Sequence, residues 1–366
     1  MTVFYDHQAF SLQDYGGVSR IFSELVKGIN QKGHHAHLSL LYSDNVHLKE
    51  NGLAPHSLFR NSYLIKKRKI RYTVNQWYNV ADIRKNSFDV YHPTYYSPDL
   101  IRYVKYKPIV VTFHDMIHEK LSDQFSELRS DVKLIEEKKA IVHSATHIIA
   151  VSENTKKDVV EIYGIDPSKI KVVHLGSSFA TPTGNMADAN ISPYLLYVGN
   201  RGLYKNFIPF LKAVAPFLLK NKLSFICAGG KEFSKEETEI IAALKVEKLV
   251  SQQPANDKKL AQLYSNALGF VFPSLYEGFG IPILEAFSCD CPCILSNTSS
   301  LPEVAQNAAV YMDPYDPASM YHAVETIFNS SSLRTDLAIN GKNRLKNFSW
   351  NKHVDETLDL YTQLSK

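Results

Sequence analysis

Phe270-Val271-Phe272-Pro273-Ser274-Leu275-Tyr276-Glu277-Gly278-Phe279-Gly280-Ile281-Pro282-Ile283-Leu284-Glu285-Ala286 carries a short apolar run into a helical pattern through a loop that holds one glutamate, with a second glutamate inside the helix. The run Leu268 to Phe272 reads as a buried strand, because a parallel strand covered on both faces is continuously apolar. Gly278 and Gly280 let the backbone come close to a ligand, and Pro282 suits the first turn of a helix whose free N–H groups point above the strand end. Anions and hydroxyl-rich groups fit such a junction. Taken singly, Glu277 also reads as a solvated loop carboxylate and Glu285 as a capping or surface one.

Outward from this junction, strand-like and helix-like segments alternate along the chain, the pattern of parallel sheets covered by helices on both faces. Upstream, the expected strands are Val3 to Tyr5, His37 to Tyr42, Val90 to His92, Ile109 to Phe113, His147 to Val151, Ile170 to Leu175, Tyr194 to Val198 and Leu223 to Ala228. Downstream they are Cys293 to Leu295 and Ala309 to Met312. Val18, Ile21, Phe22, Leu25, Val26 and Ile29 recur at helical spacing before Gly33, and Ser152 and Gly164 read as the N-cap and stop of another helix. From Gly176 to Pro193 the composition shifts to Gly, Ser, Thr, Asn and Pro, which reads as a linker. At 366 residues the chain exceeds what one hydrophobic core usually serves. The expected fold is α/β: two doubly wound parallel-sheet domains, 1–178 and 190–349, with a cleft between their ligand edges and a last helical pattern over 350–366.

Composition narrows the function classes. A net charge of +4 gives no footprint for nucleic acid, and no apolar run is long enough to cross a bilayer. Met1 to Asp6 reads as a strand rather than a signal peptide, so a cytoplasmic location is expected. Between Arg60 and Arg71 six cations stand without an acid, interleaved with Tyr63, Leu64, Ile65 and Ile70. That segment reads either as a solvated face or as a surface that docks on anionic lipid at the inner face of a membrane. Cys289, Cys291 and Cys293 lie too close together for disulfides among themselves, and no nearby residue supplies a fourth zinc ligand.

Three further junctions have residues suited to chemistry. Tyr197-Val198-Gly199-Asn200-Arg201-Gly202-Leu203-Tyr204-Lys205-Asn206 leaves a strand through a glycine, and Arg201 and Lys205, four positions apart, could reach one anion or stand as two surface cations. Ala228-Gly229-Gly230 ends another strand. In the first half, Gly16 and Gly17 open a helix and can admit a phosphate or sugar against bare N–H groups, while His114 follows the strand ending at Phe113. A metal reading of His114, Asp115 and His118 lacks the glutamate of the zinc-protease motif.

Pro-Ser-x-x-Glu-Gly-Phe-Gly-x-Pro-x-x-Glu-Ala resembles the donor-sugar motif of retaining glycosyltransferases with two Rossmann-like domains (GT-B fold, group 1 and family 4 type), and Gly16-Gly17, His114-Asp115, Ser152-Glu153, Arg201, Lys205 and Gly229-Gly230 fall in matching order. The resemblance implies two facing Rossmann-like domains with the helix 350–366 packing back on the first, and transfer of mannose or a similar hexose from a GDP- or UDP-linked donor to a saccharide or lipid-linked saccharide acceptor, with neither metal nor cofactor. It implies that Arg201 and Lys205 hold the donor diphosphate, that Glu277 holds sugar hydroxyls, and that His114 faces the sugar. Gly16, Gly17, Gly199, Asn206, Gly229, Gly278, Phe279, Gly280 and Glu285 would complete the donor site, with nucleobase contacts in the loop from Val250 to Pro254. Asn206 stands where the family has glycine. A nucleotide-sugar epimerase and a non-catalytic sugar-nucleotide-binding module share the architecture and remain as other readings.

Overall fold

Each short apolar run becomes a parallel strand, and the helices between runs cover both faces. The computed structural model describes residues 1–55, 68–177, 179 and 192–365 and divides into two units, Met1–Leu175 with Trp350–Lys366, and Gly176–Ser349. In the first unit β1 (Thr2–Tyr5), β2 (His35–Leu38) and β3 (Val90–His92) pair in the order β2-β1-β3, and β4 (Val110–Phe113), β5 (His147–Ala150) and β6 (Ile170–Val172) pair in chain order. A bridge between Tyr91 and Ile109 links the two groups. In the second unit β7 (Tyr194–Val198), β8 (Ser224–Ala228), β9 (Val250–Gln253), β10 (Gly269–Phe272), β11 (Cys293–Ser296) and β12 (Ala309–Met312) form one parallel sheet in the order β12-β11-β10-β7-β8-β9.

The first core forms where the helix Gly17–Gln31 lays Phe22, Leu25, Val26 and Ile29 against Val3 and Tyr5 of β1. The last helix, Trp350–Leu364, joins it through Val354, Leu358 and Tyr361. Gly28 permits this contact, since a Cβ there would lie 2.5 Å from Val354 Cγ2. The Tyr5 and Tyr361 hydroxyls meet at 2.8 Å, so the buried oxygens satisfy each other. In the second unit Phe207, Phe210 and Val214 pack against Phe225, Val271 and Ile294. Ser152 caps the helix Glu153–Tyr163 by accepting the Thr155 N–H, and Gly164 ends it at φ 66°, as the capping signals indicate.

Three segments differ from expectation. The strand expected over His37 to Tyr42 is β2, His35–Leu38, and the chain leaves the strand before Ser39. Val250–Gln253, expected as a loop contacting the nucleobase, is the edge strand β9, paired to β8 from Phe225↔Val250 to Ala228↔Gln253. In the basic segment, residues 60–67 lie outside the described residues, and Arg68 to Arg71 open the helix Arg68–Ile83. Arg71 is buried, donating to Ser11 O and pairing with Asp14 at 2.8 Å, so it adds nothing to a solvent-facing basic surface. No helix among the described residues is long and apolar enough to cross a membrane.

Candidate active site

In the second sheet the strand order reverses between β7 and β10: the chain builds outward from β7 through β8 and β9, then returns to β7's other side with β10, β11 and β12. Loops leaving adjacent strands in opposite directions open a crevice beyond their C-terminal ends. Lys205, from the loop after β7, and Glu277, from the loop after β10, meet there with Nζ and Oε1 2.6 Å apart. Both side chains remain partly accessible, at 21% and 11%. The ammonium also lies over the rings of Tyr204 and Phe272, at 5.0 and 5.5 Å. The Leu275 N–H donates to Tyr204 O at 2.8 Å, tying one loop to the other.

Residues not singled out in the sequence hold this glutamate. Its N–H donates to Ser299 Oγ at 3.0 Å, and the Ser300 hydroxyl donates to the carbonyls of Glu277 and Phe279 at 2.9 and 3.0 Å. The loop after β11 therefore pins the Glu277-Gly278-Phe279 backbone, whose aromatic ring rests edge-on against Phe348. Gly280 takes φ 100°, a conformation that strains any residue with a Cβ, and caps the helix Ile281–Ser288. Glu285 sits inside that helix, largely buried, and accepts from the Tyr264 hydroxyl at 3.3 Å.

Arg201 pairs with Glu237 while Lys205 pairs with Glu277. The Arg201 guanidinium turns toward β8, where Nε donates to Glu237 Oε1 at 2.7 Å, Nη2 donates to the Lys231 and Glu232 carbonyls, and the plane lies over Phe233. Its Nη1 is buried without a partner among the described residues. A Cβ on Gly230 would come within 3.2 Å of that nitrogen and 2.8 Å of Gly199 O, so the Gly229-Gly230 turn needs glycine for this close approach. Burial pushes the Glu237 carboxyl up, but hydrogen bonds from Arg201 and the Ser234 N–H outweigh it and hold the group below its ordinary value. Glu237 escaped the sequence reading although Ser234-x-x-Glu237 is a capping box, a pattern visible in the chain. Asn206 adopts φ 58°, and its Nδ2 donates to Pro314 O at 2.8 Å. Asparagine tolerates this left-handed backbone, and its side chain is committed to structure.

In the first unit His114 leaves β4 with its N–H donating to the Tyr96 hydroxyl at 3.0 Å and its ring edge-on to Phe22, which joins the β4 edge to the helix Gly17–Gln31. The imidazole is 9% exposed, and neither ring nitrogen has a partner among the described residues. Burial pushes its pKa down to about 4 against the pull of Asp115, so the ring is neutral at physiological pH and keeps one donor and one acceptor uncommitted. The buried Lys138 ammonium fixes Asp115 by donating to its carbonyl at 3.0 Å, and it lies 3.2 Å from Glu119. Gly16 and Gly17 do stand at a helix N-terminus, but Gln13 Oε1 already accepts the Ser19 N–H at 3.1 Å.

The family model for glycosyl transferases group 1 matches residues 187–344, and that for glycosyltransferase family 4 matches residues 15–177. O-antigen chain mannosyltransferase B of Escherichia coli is 27% identical over 75% of this chain and 74% of its own length. O-antigen chain mannosyltransferase RfbU of Salmonella typhimurium is 28% identical, over about half of each protein (52% and 53%). Among solved structures, sucrose-phosphate synthase from Thermosynechococcus elongatus superposes with a TM-score of 0.79 at 18% identity, covering 99% of this chain and 98% of that one. Anabaena Alr3699/HepE in complex with UDP and glucose superposes with a TM-score of 0.74 at 16% identity, covering 99% of each.

Proposed function

From the premise that the chain belongs to the group 1 and family 4 glycosyltransferases of GT-B fold, we propose that it transfers mannose from a nucleoside-diphosphate donor to a hydroxyl of a saccharide or lipid-linked saccharide, retaining the donor's anomeric configuration. The observation that carries this reading is the Lys205–Glu277 pair at the crevice between β7 and β10. An ammonium there can meet the departing diphosphate, and the carboxylate beside it can accept from sugar hydroxyls. The O-antigen mannosyltransferases favour mannose, and GDP is the carrier we favour, with UDP the second. These relatives are transferases, which speaks against the epimerase reading.

In this mechanism the bond from the sugar's C1 to the phosphate oxygen breaks and its electron pair leaves with the diphosphate. Lys205, the uncommitted Arg201 Nη1 and the N–H groups opening the helix Ile281–Ser288 stabilise the developing charge, each fixed donor lowering the barrier by about 3 kcal/mol by analogy with oxyanion-hole deletions. The acceptor oxygen attacks the same face, and its proton passes to the departing phosphate oxygen. Glu277 holds hydroxyls rather than forming a bond to C1. These protein cations take the role that a divalent ion plays elsewhere, so EDTA should leave turnover unchanged. The test is incubation with defined α-linked GDP- and UDP-sugars and NMR of the product. An α-linked mannoside from GDP-mannose is the expected result; an inverted linkage, or a glycosyl adduct on Glu277 or Glu285, would overturn the mechanism.

We further propose that the acceptor is met at an anionic membrane, through the outer face of the helix Arg68–Ile83. Ile70, Trp77 and Tyr78 are exposed there, Trp77 at 71%, with Lys69 as the neighbouring cation; Arg68 turns back to donate to Leu12 O, and the helix's one acid, Asp82, is buried against His37 and Lys85. An aromatic and cationic face without exposed acids suits anionic headgroups.

A further inference from the structure

We propose that Glu237 is a positioning residue for the donor diphosphate, acting through Arg201, an inference that rests on the transferase reading above. Of the five N–H donors of the Arg201 guanidinium, three are committed by the segment that follows β8: Nε donates to Glu237 Oε1 at 2.7 Å, and Nη2 donates to the carbonyls of Lys231 and Glu232 at 2.6 and 3.1 Å. The rings of Phe233 and Phe207 lie 4.7 and 5.8 Å from the guanidinium carbon, which fixes the plane as well. The two hydrogens on Nη1 remain, buried and without a partner among the described residues. Glycines set what that nitrogen meets. Gly199 and Gly230 leave the paired strands β7 and β8 at φ 105° and 66°, and a Cβ on Gly230 would lie 3.2 Å from Nη1. The nitrogen thus stands beside bare backbone at the ligand edge of the sheet.

The carboxylate that aims this fork is itself held by backbone. Glu237 Oε2 accepts the Ser234 N–H at 2.7 Å, and the Glu237 N–H donates to Ser234 Oγ at 3.1 Å, which anchors the side chain to the first turn of the helix Lys235–Ala243. Fixing the acceptor fixes the planar donor that pairs with it. Because Glu237 offsets much of the Arg201 charge, what the arginine offers an anion is a directed N–H rather than a free cation. Those hydrogens are already out of water, so a phosphoryl oxygen that accepts from Nη1 meets no fresh desolvation cost on the protein side. Without Glu237 the arginine stem regains its rotamers, and the donor must be ordered again at each binding event.

The test uses the full chain and the variants Glu237→Ala, Glu237→Gln and Ser234→Ala, the isosteric glutamine guarding against misfolding of the alanine. Calorimetric titration with GDP and with UDP reads the diphosphate, and saturation-transfer NMR with guanosine and uridine reads the same nucleosides without it. We expect the better-bound diphosphate to weaken about tenfold in Glu237→Ala and by less in Glu237→Gln, which keeps one acceptor for Nε, with nucleoside binding unaltered. In the transfer assay kcat/KM for the donor should fall by the same factor while the acceptor KM stays put. Ser234→Ala removes the hydroxyl that caps the helix but leaves the carboxylate in place, so it should lower the melting temperature and leave diphosphate affinity unchanged. Equal or tighter diphosphate binding in the folded Glu237 variants, an equal loss for the nucleosides, or an equal loss in Ser234→Ala would overturn the positioning role. The two readings fail separately: an unmodified protein that binds neither diphosphate refutes the donor reading, whereas one that binds and transfers with unchanged donor affinity in the Glu237 variants refutes only the positioning.

Discussion

Replacing Arg201 with alanine should damage the second unit as well as the proposed reaction, because the guanidinium is a structural tether first, with Nη1 alone left for the proposed diphosphate. Its side chain is 4% exposed and that of its partner Glu237 is 14% exposed. Removing one member of a buried pair costs about 3–5 kcal/mol, since the other is left charged and dry. Glu237 keeps the Ser234 N–H at 2.7 Å and some access to water, which lowers this contribution to about 2 kcal/mol. Loss of the cation over Phe233 adds about 0.5–1 kcal/mol. A total near 3 kcal/mol should lower the melting temperature of this unit by about 6–12 °C, given about 2–4 °C per kcal/mol for units of its size. Thermal melting of the full chain, following the unit's own transition, reads the shift. Glu237→Gln in the Arg201→Ala background should restore part of it, because the stranded charge is then gone. Lys205→Ala, at a more accessible pair, should move the melting temperature little while still depressing transfer. An Arg201→Ala protein that melts with the unmodified one would refute the tether and return Arg201 to a purely ligand-binding role.

Asn206→Gly should cost about 1 kcal/mol, the Pro314 hydrogen bond, and Asn206→Ala about 2 kcal/mol or more, because alanine also meets the left-handed strain; urea unfolding that ranks alanine above glycine would refute the conformational argument. Burial holds His114 and His353 at about 4 and His92 well below 6.5, so all three stay neutral in the folded first unit while unfolded imidazoles protonate near 6.5. Stability is therefore full above that value and should fall by about 1.4 kcal/mol per pH unit for each histidine as pH drops from there toward 4, with His353→Phe removing about a third of the slope; equal urea midpoints at neutral and mildly acid pH would contradict it. Co-sedimentation with phosphatidylglycerol vesicles should be strong at low salt, weak at high salt and lost in Trp77→Ser with Lys69→Glu; binding indifferent to these changes would remove the membrane proposal.

Much of the architecture could be read locally because a buried parallel strand is a short apolar run with a turn on either side. Tyr194–Val198 and Gly269–Phe272 are runs of this kind, and their residues are almost all buried. Val250–Gln253 escaped because an edge strand needs only one buried residue, Val250, and its Ser-Gln-Gln remainder looks like a loop. The same division runs through the site. Glu277, Gly280 and Glu285 belong to one continuous motif, so their shared junction was legible. Glu237 lies 36 positions from Arg201 and Ser299 lies 22 from Glu277, and pairings across such distances are set by sheet order, which residue spacing does not encode. Lys138 was invisible for another reason: a lysine in a helix reads as solvated, and only the acids of a different helix and loop make its burial tolerable.

The last helix closes the core of the first unit, and this makes the second unit an insertion. Residues 1–175 cannot cover Gly28 or Tyr5 fully until residues 350–364 exist, so during synthesis the sheet from β7 to β12 has all its strands before the earlier one has its final cover. Ser365 Oγ lies 3.4 Å from the Met1 sulfur, so the helix ends beside the first strand. A circular permutant that joins these two positions through a short linker and opens the chain before Trp350 would place that helix ahead of β1. It would make the first unit continuous and let it fold without waiting for the second.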